Sequence, residues 1–412
     1  MRRIVVTGLG LITPLGNDVS STWDALVAGR SGLGLLTRFD SSAYEHPIAA
    51  EVKDFDATEH VDAKMLRRMD LSSAYALAAS QQAIADARLD MSSEEGARVG
   101  VLLGSGMGSA HLIVEQQAVL DEKGPRRVSP FLTSFMLPDT ASGLVAIATG
   151  ARGPNFAITA ACATGGASVG EAAEIIARGD AEVMIAGGFE APLQPIYYAG
   201  FNAMKALAEH EDPKKAVRPF DLTRNGFILG EGAGVLILEE LEHAKARGAR
   251  IYAEWCGAST SNDAYDMVAA SEDGHGIGQA MRDALKRAAL APETIDYINA
   301  HGTGTPLNDR VETAAIRDVF GEHADALMVS STKSMHGHMM GAAGAVEASI
   351  AVLTCHHGVV PPTINYETPD PACDLDYVPN EARTAEVRHA MSTSVGLGGH
   401  NSAIIFGRWE GS

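Results

Sequence analysis

Two distant stretches of this chain repeat one order of elements, and that repetition constrains the fold more than any other feature. In the first, Asn155-Phe156-Ala157-Ile158-Thr159 reads as a strand, residues 160–164 as a polar loop, and Gly165-Gly166-Ala167-Ser168-Val169 as the start of a small-residue helix. In the second, Leu327-Met328-Val329-Ser330-Ser331 leads through residues 332–340 into Gly341-Ala342-Ala343-Gly344-Ala345-Val346. A helix poor in bulky side chains lets other backbone approach closely, so both are expected at the buried centre of the molecule. Around them, apolar runs at 3–7, 99–103, 183–186, 233–238, 297–300 and 403–406 read as strands, while 72–87, 166–178 and 276–291 carry helical spacing. Such alternation predicts parallel sheets covered by helices. Two related α/β halves, 1–250 and 251–412, joined near residues 248–251, fit the pattern.

The 412 residues exceed one ordinary core, and 46% hydrophobic against 20% charged side chains excludes a disordered chain. A net charge of −20 argues against nucleic acid as a bulk partner, because phosphate binding needs clustered Lys and Arg. The start, Met1-Arg2-Arg3-Ile4-Val5-Val6, reads as a first strand rather than a signal peptide: the apolar run is short, and Gly8, Gly10 and Pro14 follow. The most apolar later stretch, 342–355, contains Glu347 and is too short to span a membrane. A cytoplasmic protein without membrane contact is expected. Cys162, Cys256, Cys355 and Cys373 lie far apart with no C-x-x-C, which indicates neither a disulfide framework nor a zinc site. Three glycine clusters, at 8–10, 104–108 and 274–278, complete neither G-x-G-x-x-G nor the Walker pattern, so they read as tight strand exits and not as dinucleotide or phosphate loops.

Chemistry concentrates in three segments. Cys162, in Thr159-Ala160-Ala161-Cys162-Ala163-Thr164-Gly165-Gly166, stands between a strand and a helix start, where the free N–H groups favour thiolate. His301, in Asn299-Ala300-His301-Gly302-Thr303-Gly304-Thr305-Pro306, follows a strand directly, at the end where α/β sites gather. Ser331-Thr332-Lys333-Ser334-Met335-His336-Gly337-His338 is the loop that the internal repeat matches to Cys162. His336 and His338 point apart if extended and lack an acidic ligand at zinc spacing, so no metal site is expected. One soft nucleophile and two imidazoles able to hold an oxyanion suit thioester chemistry.

These segments resemble the elongating β-ketoacyl-acyl-carrier-protein synthases, type II condensing enzymes of the thiolase superfamily. The resemblance extends through V-T-G-L-G at 6–10, R-P-F-D at 218–221, G-E-G-A-G at 230–234, G-A-A-G-A-V-E at 341–347, V-P-P-T-I-N at 360–365 and G-x-G-G-x-N at 396–401. It implies an α/β thiolase-like fold, two halves stacked as an α-β-α-β-α core. The first half would carry the nucleophile with dimer and docking insertions, the second the two histidines and the glycine-rich loop. It also implies a decarboxylative Claisen condensation. Cys162 would accept an acyl group, the N–H groups of Cys162 and Leu397 would form the oxyanion hole, and His301 and His338 would hold the enolate of a malonyl thioester.

By the same resemblance, Lys333 is structural and electrostatic, paired with Glu312. Glu347 is a buried hydrogen-bonding or cation-site carboxylate. Met107, Phe201 and Leu397 border the acyl pocket. No cofactor is implied, since phosphopantetheine arrives on the acyl carrier protein. That acidic partner would dock on Lys64, Arg67, Arg68 and Lys205, with Lys123, Arg126 and Arg127 as a further basic run. A homodimer, or a heterodimer with a chain-length-factor-like paralogue, is expected from the family.

The chain departs from the family at Leu397, where Phe usually gates the acyl site, at His336, and at residues 133–140, where Asp139 enters an apolar interface segment. These departures keep a type II polyketide or polyene synthase open beside fatty-acid elongation. A biosynthetic thiolase would carry a second Cys in the glycine-rich loop, a chain-length factor would lack Cys162, and a non-catalytic carrier-protein-binding module would lack a reactive thiol.

Overall fold

The computed structural model describes residues 2–411; Met1 and Ser412, the outer bounds of the two expected halves, lie outside the described residues. The first half runs β1 (Ile4–Ile12), α1 (Leu71–Ala87), β2 (Val99–Gly104), α2 (Thr140–Thr149), β3 (Asn155–Phe156), α3 (Thr164–Arg178), β4 (Val183–Glu190) and β5 (Gly232–Glu240). The second repeats it as β6 (Ala253–Asn262), α4 (His275–Ala288), β7 (Tyr297–Asn299), α5 (Pro306–Phe320), β8 (Met328–Ser330), α6 (Ala343–His357), β9 (His389–Gly396) and β10 (His400–Arg408). Strand order is β3-β2-β4-β5-β1 in one half and β8-β7-β9-β10-β6 in the other, with the same directions at every matching pair. The repeat changes over between Glu240 and Ala253.

The sheets are mixed, not parallel as the alternation suggested. β5 and β10 run against both of their neighbours. The link from β9 to β10 is only Leu397–Gly399, and so short a connection can join only antiparallel strands. β1 and β6 also pair, Ile4 with Trp255, Val5 with Glu254 and Val6 with Ala253, so the two five-stranded halves share one ten-stranded sheet.

Helices α3 and α6 lie between the halves and touch strands of both, whereas α1 packs on the first half and α4 on the second. The layers are therefore α-β-α-β-α. α6 is buried continuously from Ala343 to Cys355. Its fit against α3 explains the small residues: a methyl on Gly165 would overlap Ala345 N, and one on Gly344 would stand 2.6 Å from Gly166 N.

Gly8 and Gly10 are not strand exits. They lie inside β1, where a Cβ would overlap the Ala83 and Ala79 carbonyls of α1. Gly104 does end β2, whereas Gly274, at φ +64°, lies well beyond β6 and caps the start of α4. No helix among the described residues is long and apolar enough to cross a membrane. Cys162, His301, His338 and Leu397 follow β3, β7, β8 and β9, so the topology gathers all four loops at one end of the molecule.

Candidate active site

Cys162 sits in the single turn Ala161–Ala163 that runs into α3. Ala161 adopts φ +47°, and its counterpart in the other half, Met340, adopts φ +46° in the turn before α6. Left-handed backbone at a non-glycine residue costs on the order of 1 kcal/mol, so close packing must hold both turns. It does: a Cβ on Gly106 would lie 2.9 Å from the Ala161 carbonyl, and one on Gly188 would overlap that of Gly341.

The three reactive side chains predicted from sequence come together. His338 Nε2 lies 3.0 Å from Cys162 Sγ. The rings of His301 and His338 meet edge to face, their centroids 5.3 Å apart. Phe227 closes on His338 from another side, at 5.2 Å. All three reactive residues line a cavity of about 350 Å³ together with Phe201, Met340 and Leu397 on its apolar wall and Thr303 and Asn308 on its polar side. Met107, expected at the acyl pocket, packs in the surrounding apolar cluster but does not line this cavity.

The helix start was expected to favour thiolate, and burial acts in the opposite direction. Burial pushes the Cys162 thiol up to about 12, against the downward pull of the Lys333 ammonium and the Leu397 N–H. Desolvation outweighs the helix terminus because the thiol is buried. Burial, then the charge of Lys333, holds both His301 and His338 well below the usual imidazole range. The site at rest is a thiol facing neutral imidazoles. Nδ1 of each ring is buried without a partner among the described residues, so no second group fixes either tautomer.

Lys333 does not pair with Glu312. It is fully buried and forms its ion pair with Glu347 of α6, inside the middle layer. Glu312 is occupied elsewhere: its two oxygens accept from His301 N and Gly302 N, each at 2.8 Å, and from Thr393 Oγ1 at 2.8 Å. It thus holds the histidine loop by its backbone, at the point where Gly302 turns with φ +37°. Burial raises Glu347 to about 7 even beside Lys333. His336 spends both ring nitrogens locally, Nδ1 at 2.8 Å from the Gly337 carbonyl and Nε2 at 3.0 Å from Thr332 Oγ1.

Gly396 carries the second backbone edge of the site; a Cβ there would stand 3.0 Å from Cys162 N. The loop beyond it is pinned by Gly398 N donating to the Met267 carbonyl and Asp263 N to that of Gly399, each at 2.9 Å. The Leu397 N–H at the head of this loop acts on the Cys162 sulfur. Lys64, Arg67 and Lys205 are exposed, with Lys205 between the cavity-lining residues Met204 and Ala206. Arg68 is partly covered, its guanidinium 4.0 Å from the centroid of Phe131. Asp139 is exposed on the single chain. Cys355 and Cys373 are buried, Cys256 is half-buried, and burial raises all three thiols.

Sequence reasoning missed Glu190, a buried carboxylate that accepts from Ser105 Oγ, Gly106 N and Gly341 N beside the nucleophile. A lone Glu ending an apolar, glycine-containing strand was the available signal.

Residues 1–244 match the family model described as "Beta-ketoacyl synthase, N-terminal domain", and residues 252–367 match "Beta-ketoacyl synthase, C-terminal domain". Over 409 residues, the chain is 47% identical to "3-oxoacyl-[acyl-carrier-protein] synthase 2" of Staphylococcus aureus (strain COL), covering 99% of each sequence. Among solved structures it is similar to "the ishigamide ketosynthase/chain length factor", with TM-score 0.92, 38% identity and 99% of each chain covered. It is also similar to a "type II PKS acyl-carrier protein in complex with its ketosynthase bound to the hexaketide", with TM-score 0.91, 36% identity, and 99% of this chain and 100% of that one covered.

Proposed function

The chain belongs to the beta-ketoacyl synthase family, and on that premise we propose how its residues carry out the condensation of an acyl thioester with malonyl-acyl-carrier protein to a 3-oxoacyl product in fatty-acid elongation. One observation carries the assignment of residues: Cys162 Sγ lies 3.0 Å from His338 Nε2, with His301 edge-on to that ring, in a shared cavity.

Cys162 attacks the acyl thioester, and as the C–S bond forms its proton passes to the departing carrier-protein sulfur, so that His338 keeps its Nε2–H. The N–H groups of Cys162 and Leu397 receive the negative oxygen; one such donor is typically worth about 2.7–4 kcal/mol. The carrier-protein thiol leaves with a proton, and the acyl group stays on Cys162. Malonyl thioester then enters, and CO₂ departs as charge moves onto the thioester carbonyl. Neutral His301 and His338 donate to that oxygen, which a strong base could not do. The carbanion attacks the acyl-enzyme, the C–S bond breaks with its electron pair going to the Cys162 sulfur, which regains a proton from water, and the product is two carbons longer. Lys333 lowers the thiol and holds the imidazoles neutral while Glu347 balances its charge inside the protein.

The chemistry is carried by side chains, with phosphopantetheine supplied on the carrier protein. That acidic partner docks on Lys64, Arg67, Arg68 and Lys205, and steering of this kind weakens with salt. Residues 1–250 and 251–412 act as the two halves, and the cytoplasmic location expected from sequence is retained. Exposed Phe156 in the edge strand β3, with exposed Ile147 on the helix α2 packed against it and exposed Leu137, supports pairing with a second copy or a paralogue. The similarity to a ketosynthase/chain length factor structure, together with Leu397 in place of an aromatic gate, favours a second reading: the active subunit of a type II polyketide or polyene synthase.

Mass spectrometry of the enzyme incubated with a panel of acyl-carrier proteins tests the assignment. An acyl adduct on Cys162 is expected, absent from Cys162→Ala. His301→Ala is expected to take the acyl group yet lose CO₂ release from malonyl-carrier protein. Acyl transfer that persists on Cys162→Ala would refute the nucleophile, and preferred chain length separates the two pathways.

A further inference from the structure

Glu190 ends β4 as a buried carboxylate that the condensation chemistry leaves without a role. Its neighbours are hydrogen-bond donors. Oε1 accepts from Ser105 Oγ at 2.6 Å and Met107 N at 3.3 Å, while Oε2 accepts from Gly106 N at 2.8 Å and Gly341 N at 3.0 Å. Ser105 Oγ in turn accepts from Gly108 N at 2.8 Å, so its own proton is free to face the carboxylate.

These donors come from both halves of the molecule. Residues 105–107 follow β2; Gly341 follows β8 and stands three residues after His338. Each is also wedged against a strained turn. Gly106 abuts the carbonyl of Ala161, which precedes Cys162, and Gly341 succeeds Met340. A methyl on Gly341 would overlap Gly106 N and stand 2.7 Å from Glu190 Oε2, so the three groups are in direct register. A buried carboxylate without a cation is an unfavourable choice for stability alone, since burial raises it to about 7 even against these four donors. What a carboxylate offers is two oxygens that accept along four directions at once, which an amide cannot do.

We propose that Glu190 is a positioning residue for the condensation: its two oxygens tie the loop behind the Cys162 turn to the start of the His338-side helix, and so fix sulfur and imidazole at hydrogen-bond distance. The inference rests on the reading of Cys162 and His338 given above. Glu190→Gln keeps the length of the side chain but turns a donor toward one of the backbone N–H groups. Misplacement of reacting groups on this scale lowers turnover about ten- to a hundredfold.

The test uses full-length enzyme with octanoyl-carrier protein as acyl donor and malonyl-carrier protein as extender. For Glu190→Gln, kcat per folded chain is expected to fall at least about tenfold while KM for malonyl-carrier protein stays within about twofold. Glu190→Asp, which retains both acceptor oxygens on a shorter stem, is expected to recover part of that loss. If Glu190→Gln does not fold, a kcat for Glu190→Asp clearly below the parent at similar KM supports the proposal. Parental kcat per folded chain in Glu190→Gln or, where that variant does not fold, in Glu190→Asp, or a loss confined to KM, would overturn it. Octanoyl-enzyme mass is recorded in parallel. An adduct on Cys162 with parental turnover in Glu190→Gln sinks this inference alone, whereas no adduct on Cys162 in the parent sinks the reading of the site and this inference with it.

Discussion

Replacing Lys333 by Met removes the ammonium that faces Glu347 in the middle layer. Both side chains are fully buried, so the variant leaves a carboxylate enclosed without its ion-pair partner. Breaking a buried pair from one side costs about 3–5 kcal/mol. With about 2.1 cal/mol/K of unfolding entropy per residue, 412 residues lose roughly 0.9 kcal/mol per degree, and Tm is expected to fall about 4–6 °C. The same substitution removes the charge that pulls the Cys162 thiol down, so alkylation by iodoacetamide at fixed pH slows. The double variant Lys333→Met/Glu347→Leu separates the two effects. Exchanging a buried pair for apolar groups of similar volume is often neutral, so most of the lost Tm returns. Thiol reactivity returns only in part, because Lys333 lowers the thiol more than Glu347 raises it. Calorimetry and timed alkylation read by mass spectrometry give both numbers. A single variant melting within about 1 °C of the parent, or a double variant alkylated at the parental rate, would refute the reasoning.

Three further outcomes are expected. Gly165→Ala drives a methyl into Ala345 N across the central helix pair and is expected to destabilise by about 1–3 kcal/mol in calorimetry; an unchanged Tm would contradict that close approach. His243 bridges Glu239 at 2.9 Å and Glu94 at 3.1 Å and is raised above the usual imidazole range, chiefly by the bond to Glu239. Its contribution is complete below about pH 6.5 and disappears as pH rises through the raised value, so the parent should lose more Tm between pH 6 and 9 than His243→Gln. Equal losses would remove His243 as the cause. Arg67→Glu is expected to raise KM for the carrier protein several-fold at unchanged kcat and to flatten its salt dependence, measured by steady-state kinetics at two ionic strengths; an unchanged KM would remove Arg67 from the docking face.

Much of the active site was legible because reactive side chains in glycine-rich, low-bulk loops are local features. Cys162, His301 and His338 could each be picked from a few neighbouring residues, and their meeting followed from the matching loop positions of the two halves. Partner assignments were not local. Glu312 was expected to face Lys333, yet its oxygens are taken by the backbone of His301 and Gly302, and the lysine reaches Glu347 instead. Which carboxylate meets a buried cation depends on helix rotation across a layer, and no spacing along the chain encodes that. The thiol likewise carried the signature of a helix start, and only its burial reversed the direction of its shift.

By itself the sequence determined the duplicated α/β plan, the central place of the two small-residue helices and the identity of the reactive side chains, because periodicity and side-chain volume act over short stretches. Tertiary structure alone decided the mixed strand directions, the continuous sheet through β1 and β6, the Lys333–Glu347 pair and the anchoring by Glu190 of loops from both halves. Those features arise where segments far apart in the chain compete for the same buried donors and acceptors, and the winner is set by three-dimensional packing.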